Sequence, residues 1–405
     1  MAYNRKQRLN DNIKAIETAF ILDREQRTPT ARERLLLERY CGFGGLKCIL
    51  NPARELADAV HWAKSDLELF APTVELHRLI RENSKNESEY KQLMNSLKQS
   101  VLTAFYTPSA VTEALTDVLK EHQIIPEKVL EPSAGIGAFV DSVLDNNPKA
   151  DIMAFEKDLL TGKILRHLHP EQKVRIEGFE KIEKPFNDYF DLAISNIPFG
   201  DVAVFDPSYT AMKGMRALVT RRIHNYFFVK ALDTVRDGGL VAFITSQGVL
   251  NAKNNSAARF MMLYHADLVS AIRLPNNLFT ENANTEVGSD LIILQKNTQK
   301  ESLRGDDNLL DTVYNDENRI PTNNYFLEHP ERIIHTTAKL DTDPFGKPAM
   351  IYTHEDGVEG IAEDLRKMLH EDFKKNLNLN RYLGIEETMA EEVKEVEETE
   401  KIEKT

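Results

Sequence analysis

The chain is poor in cysteine: two in 405 residues, Cys41 and Cys48. Two thiols cannot build a disulfide framework or a four-thiolate metal site, and their neighbours lack the Cys and His spacing of zinc motifs. No metal is expected, and a reducing cytoplasm fits this usage. Long apolar runs are missing as well. Nothing approaches the roughly 18 consecutive apolar residues of a membrane span, and the N-terminus, MAYNRKQRLNDNIKAIETAF, is charged and amphipathic without the apolar core of a signal peptide. No membrane role is expected. Positive charge is in deficit, 51 Lys and Arg against 64 Asp and Glu, for a formal net charge of -13. That balance argues against non-specific coating of nucleic acid while leaving room for a local basic groove. There is no internal repeat and no Gly-Lys-Ser/Thr phosphate loop.

What is present suits a globular α/β protein. A 41% hydrophobic composition over 405 residues is enough for one full-sized domain and one or two smaller pieces. From Asn12 to about Ser100 apolar residues recur at helical spacing, and Thr30-Ala31-Arg32-Glu33 has the form of a capping box. Within this region YCGFGGLKCIL places Gly42, Gly44 and Gly45 around Phe43. No strand precedes it, so a packing turn between helices is expected rather than a phosphate cradle. The texture then changes to short β-rich runs, KVLEPSAG, ADIMAFEKD, KVRIEGF, FDLAISN, GLVAFITS, LVSAIRL and DLIILQK, several of them separated by helical stretches. This is the pattern of a doubly wound, Rossmann-like sheet. The expected organisation is a helical region over 1–100, an α/β domain over 101–300 and an extension over 301–384. An acidic tail over 385–405, almost all Glu and Lys, reads as disordered or as a solvated helix.

Three strand ends carry the chemistry. In VLEPSAGIGAF a strand runs into Glu131, Ser133, Gly135 and Gly137 before a helix begins, a turn whose glycines admit a ligand close to the backbone. A GxG with an acid four residues earlier differs from the GxGxxG fingerprint and favours a ligand with an amino-acid moiety over a dinucleotide. Glu156 closes the next strand about 20 residues later, where an acid accepts the hydroxyls of a ribose. The strand LAISN then empties into Asn196, Ile197, Pro198 and Phe199. The Asn196 side-chain oxygen and the Ile197 carbonyl offer two acceptors for an exocyclic amine, and Phe199 offers a face on which a flat ring can stack. All three ends are expected on one carboxyl edge, where such sheets bind ligands.

FYTPSAVTEAL, VLEPSAGIGAF, AFEKD, SNIPFGD, HNYFFVKALDTVRDGGLVAFIT and IRLPNNLF, in this order, resemble the N6-adenine DNA methyltransferases, especially the modification subunits of type I restriction systems. The resemblance covers about 105–296. The text NIKAIETAFIL and TARERLLLERYCGFGGL is similar to the segment before the methylase module in helicase-methylase proteins of phages and conjugative elements. The resemblance implies S-adenosylmethionine as cofactor and a flipped adenine in DNA as target. It implies that Tyr106, Thr107 and Pro108 close over the methionine end, that Glu131, Ser133, Gly135 and Gly137 form the cofactor loop, and that Glu156 is the ribose acid. Phe179 falls where the family often places a residue beside the cofactor adenine, although the usual acidic residue is not in its usual place. Asn196, Pro198 and Phe199 match the catalytic tetrapeptide. Any motor or specificity function would come from another chain, since neither helicase motifs nor a large recognition domain after Lys296 is apparent.

Ile197 stands where the family usually has proline. Its carbonyl is kept, its rigidity is not, and Ile197→Pro is expected to preserve or raise activity. Between the tetrapeptide and HNYFF lie Lys213, Arg216, Arg221 and Arg222, candidate phosphate ligands or a solvated insertion. Three readings stay open: an adenine DNA methyltransferase, a glutamine-amide or RNA methyltransferase using the same tetrapeptide, and a non-catalytic DNA-binding or interaction subunit. The absence of any cysteine after Cys48 argues against a cytosine C5 methylase, which needs a thiolate nucleophile.

Overall fold

A computed structural model describes residues 4–103, 106–212, 214–280, 286–303, 307–314, 320–343 and 346–385. Lys213 and nearly all of the acidic tail fall outside these residues.

Seven strands form the central sheet: β1 (Lys128–Glu131), β2 (Asp151–Phe155), β3 (Lys173–Arg175), β4 (Phe190–Asn196), β5 (Val235–Ser246), β6 (Ala266–Leu274) and β7 (Ser289–Lys296). Each coincides with one of the expected β-rich runs. Their spatial order is β3-β2-β1-β4-β5-β7-β6. The first five pair in parallel, and β7 runs antiparallel to both β5 and β6. Because the sheet is covered on both faces its strands read as continuous apolar runs: every residue of β7 is buried.

Alternate residues divide into two cores. Val129, Ile152, Leu192 and Ile194 face α5 (Ser109–Glu121), α6 (Ala138–Asn146) and the helix Gly357–Asn376. Leu130, Met153, Ala193 and Val241 face the helices Ile223–Thr234 and Ser256–His265. The 301–384 extension therefore helps to cover the sheet: its long helix packs beside α5, where Arg366 pairs with Asp117 at 2.7 Å.

The N-terminal helices are α1 (Arg5–Glu25), α2 (Ala31–Leu37), α3 (Phe70–Glu82) and α4 (Glu87–Thr103). The Thr30 capping box is formed, with Glu33 N–H donating to Thr30 and Thr30 N–H to Glu33. The Gly-rich turn is a packing device. Buried Asn12 of α1 donates to Gly42 O at 2.6 Å and accepts from Cys41 N–H at 2.9 Å, which seats Phe43 in the core. That core is shared with α7 (Leu159–Leu168) through Leu160, Ile164 and Leu168. Polar contacts reinforce it, with Arg34 donating to Leu168 O at 2.7 Å and Tyr40 bonded to Thr161 at 3.2 Å.

Candidate active site

β1, β2 and β4 run parallel and deliver Glu131, Glu156 and Asn196 to the same edge. β1 lies between β2 and β4, so successive crossovers leave it in opposite directions and open a crevice there. The crevice is a cavity of about 920 Å³. Tyr106, Thr107, Glu131, Ser133, Gly135, Glu156, Phe179, Asn196, Ile197, Pro198 and Phe199 all line it.

Backbone groups of the β1 loop are tied to both neighbouring strands. Ala134 N–H donates to Phe155 O at 2.8 Å, tying the loop to β2, and the Ser195 hydroxyl donates to Ser133 O at 3.2 Å, tying it to β4. Gly135 is in the left-handed region at φ +57°, and a Cβ there would come within 2.8 Å of the Tyr106 ring. Only glycine fits under that ring. Its N–H donates to Glu156 Oε2 at 2.8 Å, while Asp158 N–H donates to Oε1 at 2.6 Å. Burial outweighs these donors and pushes the Glu156 carboxyl up to about 8. Burial raises Glu131 well above the usual carboxylate range as well, and its Oε2 has no hydrogen-bond partner. Thr107 Oγ1 is likewise buried without one. The cavity thus presents one buried acid, one half-buried acid and a buried hydroxyl without a partner.

Two expected cofactor residues stand outside the lining. Pro108 caps α5, its carbonyl accepting Val111 N–H at 3.1 Å. Gly137 caps α6 at φ +93°, and a Cβ there would press on Leu165 and His169. Its glycine serves helix packing.

Phe179 is buried against Phe155 and Phe227, with ring centroids 5.8 and 5.3 Å away. Phe199 stands edge-on to Phe279 of the IRLPNNLF segment at 6.4 Å. Ile197 belongs to the second core, and its N–H donates to Ile244 O at 3.0 Å, continuing the β4–β5 ladder into the turn. A proline would lose that donor and the packed side chain, so the expectation for Ile197→Pro is reversed. The backbone bond supplies the rigidity that the absent proline would have given.

Two of the insertion's four cationic candidates, Arg216 and Arg222, are paired within the chain. Arg216 forks onto Asp233 at 2.7 and 2.9 Å, an acid that Tyr209 also binds. Arg222 bonds Asp201 and Asn255, each at 2.6 Å. Both guanidiniums are engaged inside the chain, and Arg221 remains exposed. Sequence reasoning missed two further sets of lining residues. Gln92, Asn95, Ser96, Gln99 and Ser100 come from α4, and Val202 and Phe205 from the insertion, Phe205 being 77% exposed. The α4 residues read as an ordinary polar helix face; the apolar run Val202-Ala203-Val204-Phe205 right after the tetrapeptide was the available signal for the others.

The family model described as N-6 DNA Methylase matches residues 88–390. The chain belongs to this family. Among curated relatives, "Defense against restriction protein B" of Escherichia phage P1 is 29% identical over 201 residues, covering 48% of this chain and 8% of that protein. Type II methyltransferase M.XamI of Xanthomonas campestris pv. amaranthicola is 25% identical over 173 residues, covering 40% of this chain and 33% of that one. The chain thus spans a third or less of both relatives. Among solved structures, the type I restriction-modification methyltransferase subunit from Streptococcus thermophilus aligns at 12% identity over 92% of this chain and 94% of that one, with a TM-score of 0.40. For an N-6 DNA methylase, the match begins inside α4 and takes in the whole sheet and the C-terminal helix. Among the described residues no helix is long and apolar enough to cross a membrane, and no group of three or more His, Cys, Asp or Glu is placed to hold a metal.

Proposed function

We propose that the chain transfers a methyl group from S-adenosylmethionine to the N6 amine of an adenine flipped out of DNA. The observation that carries this reading is the convergence on one cavity of Asn196, Pro198 and Phe199 with Glu131, whose buried Oε2 lacks a partner, and with Glu156. The cofactor supplies an electrophilic methyl on a sulfonium. Glu131 and Thr107 would hold its amino-acid half and Glu156 its ribose hydroxyls. Gly135 leaves the loop close enough for backbone contact, with the Tyr106 ring lying over it.

The adenine amine is a weak nucleophile because its lone pair is delocalised into the ring. The Asn196 oxygen and the Ile197 carbonyl would accept its two hydrogens, favouring the geometry in which the lone pair is freed and stabilising the positive charge that builds on nitrogen. Phe199 would stack on the base. With the base so held, the methyl would pass from the sulfonium to the nitrogen, leaving a neutral thioether, and the excess proton on nitrogen would be lost to solvent. No covalent enzyme intermediate is needed, in keeping with the absence of cysteine after Cys48. Beyond the cofactor the proposed partner is DNA.

The test is to incubate the purified protein with methyl-labelled cofactor and separate pools of genomic DNA, RNA and protein. Label recovered as N6-methyladenine in DNA supports the reading. Label in RNA or on glutamine amides replaces the substrate, and cofactor binding without transfer to any pool supports a non-catalytic subunit.

A further inference from the structure

Helix α4 reaches the cavity from outside the α/β sheet. Gln92, Asn95, Ser96, Gln99 and Ser100 line it, at the three-and-four spacing of one helix face. The two serines are buried and engaged. Ser96 Oγ donates to Asp158 Oδ2 at 2.6 Å and accepts Leu160 N–H at 3.0 Å, while Ser100 Oγ accepts Phe43 N–H at 3.2 Å. These bonds clamp α4 to the start of α7, two residues beyond Glu156, and fix its rotation. The stripe that lines the cavity is therefore neutral, although Lys91 and Lys98 of the same helix are exposed and charged. Gln92 and Asn95 make no side-chain hydrogen bond to other described residues.

A carboxamide both donates and accepts, which matches a hydroxyl or the edge of a purine. It is a poor counterpart for an ammonium or a carboxylate, whose natural partners are charged. The clamp also puts α4 beside Asp158, two residues beyond Glu156. We infer that α4 is a wall of the cofactor site and that Gln92 and Asn95 hydrogen-bond the nucleoside half of the cofactor, its ribose hydroxyls and purine edge. The N-terminal helical region is then part of the binding site, because Phe43 and Ser100 hold the wall in place. This inference rests on the reading above that the cofactor carries a nucleoside.

The experiment is calorimetry on the full chain with two ligands, S-adenosylhomocysteine and 5′-methylthioadenosine, which keeps the nucleoside and lacks the amino acid. In the double variant Gln92→Ala/Asn95→Ala, affinity for both should fall by the same factor, about 5- to 50-fold for two hydrogen bonds of ordinary net strength. Both positions are exposed on a helix where alanine is favoured, so the melting temperature should hold. Lys98→Ala on the same helix should change neither affinity. Near-isosteric Asn95→Asp, which removes the donor and adds charge near Glu156, should weaken both ligands. Unchanged affinities in the double variant, or a loss confined to S-adenosylhomocysteine, overturn the inference while leaving the cofactor reading intact. Wild-type protein that binds neither ligand overturns both.

Discussion

The turn after β1 and the insertion after β4 border the same cavity, yet they use their chemistry in opposite ways. The β1 turn is secured by hydrogen bonds to β2 and β4, so Glu131 and Glu156 are held around a space that another molecule can fill. The insertion spends its charges within the chain. Asp233 takes Arg216, Asp201 and Asn255 take Arg222, and buried Asp206 accepts from Tyr226 and faces Lys230 at 3.4 Å. It leaves apolar Val202 and Phe205 exposed in the cavity lining, and Arg221 exposed as well. A site residue is thus marked less by its charge than by what the rest of the fold leaves unsatisfied.

The sharpest break of this contrast is Gly135→Val. The left-handed backbone and the collision with Tyr106 should lower S-adenosylhomocysteine affinity by about 10²-fold or more, whereas Gly137→Ala should cost about 1 kcal/mol of stability and leave the affinity of the folded protein alone. Equal affinity of Gly135→Val and wild type in calorimetry would remove the loop from the site. Next is Ile197→Pro. Loss of the bond to Ile244 and of a buried side chain should lower unfolding free energy by about 2–4 kcal/mol in urea titrations, with Ile197→Val losing about 1 kcal/mol. A proline variant as stable and more active would restore the view that this turn wants proline.

The acids on the β1 side give a pH signature. Glu156 ionises in the free protein only towards about 8 against an ordinary 4.5, so the folded state holds the proton through that window and ionisation costs stability as pH rises. Ribose hydroxyls donate best to the carboxylate. Binding should therefore release a proton, and affinity should rise by up to about tenfold per pH unit below 8 and flatten above it. Calorimetry in buffers of differing ionisation enthalpy counts the proton; proton uptake would contradict the assignment. On the insertion side the effects are smaller. Arg216→Ala leaves Asp233 half-buried without its cation and should cost about 1–2 kcal/mol of stability. Arg221→Ala should leave stability unchanged and lower the salt dependence of DNA binding by about one unit. An unchanged slope would direct Arg221 to solvent alone.

The sheet was legible because its strands are buried on both faces and announce themselves as apolar runs, β7 above all. The convergence at the cavity was legible because a strand end fixes position: Glu131, Glu156 and Asn196 need only parallel neighbours to meet there. What could not be read depends on contacts distant along the chain. Whether Arg216 is available is decided by Asp233, whether Ile197 tolerates proline by Ile244, and whether Gln92 sees water or a ligand by Ser96 meeting Asp158. Gly137 shows the converse: a residue inside a matching motif whose glycine answers to His169 and Leu165.

The central claim is that Asn196 accepts a hydrogen bond from the amine being methylated. Its most direct test is single-turnover methyl transfer to pooled genomic DNA by wild type and Asn196→Ala, with S-adenosylhomocysteine affinity measured on the same samples. The account predicts N6-methyladenine from wild type, a rate lower by on the order of 10² to 10³ in the variant as for other preorganised transition-state contacts, and equal affinity in both. Equal transfer rates, or transfer by neither protein while both bind the ligand, would contradict it.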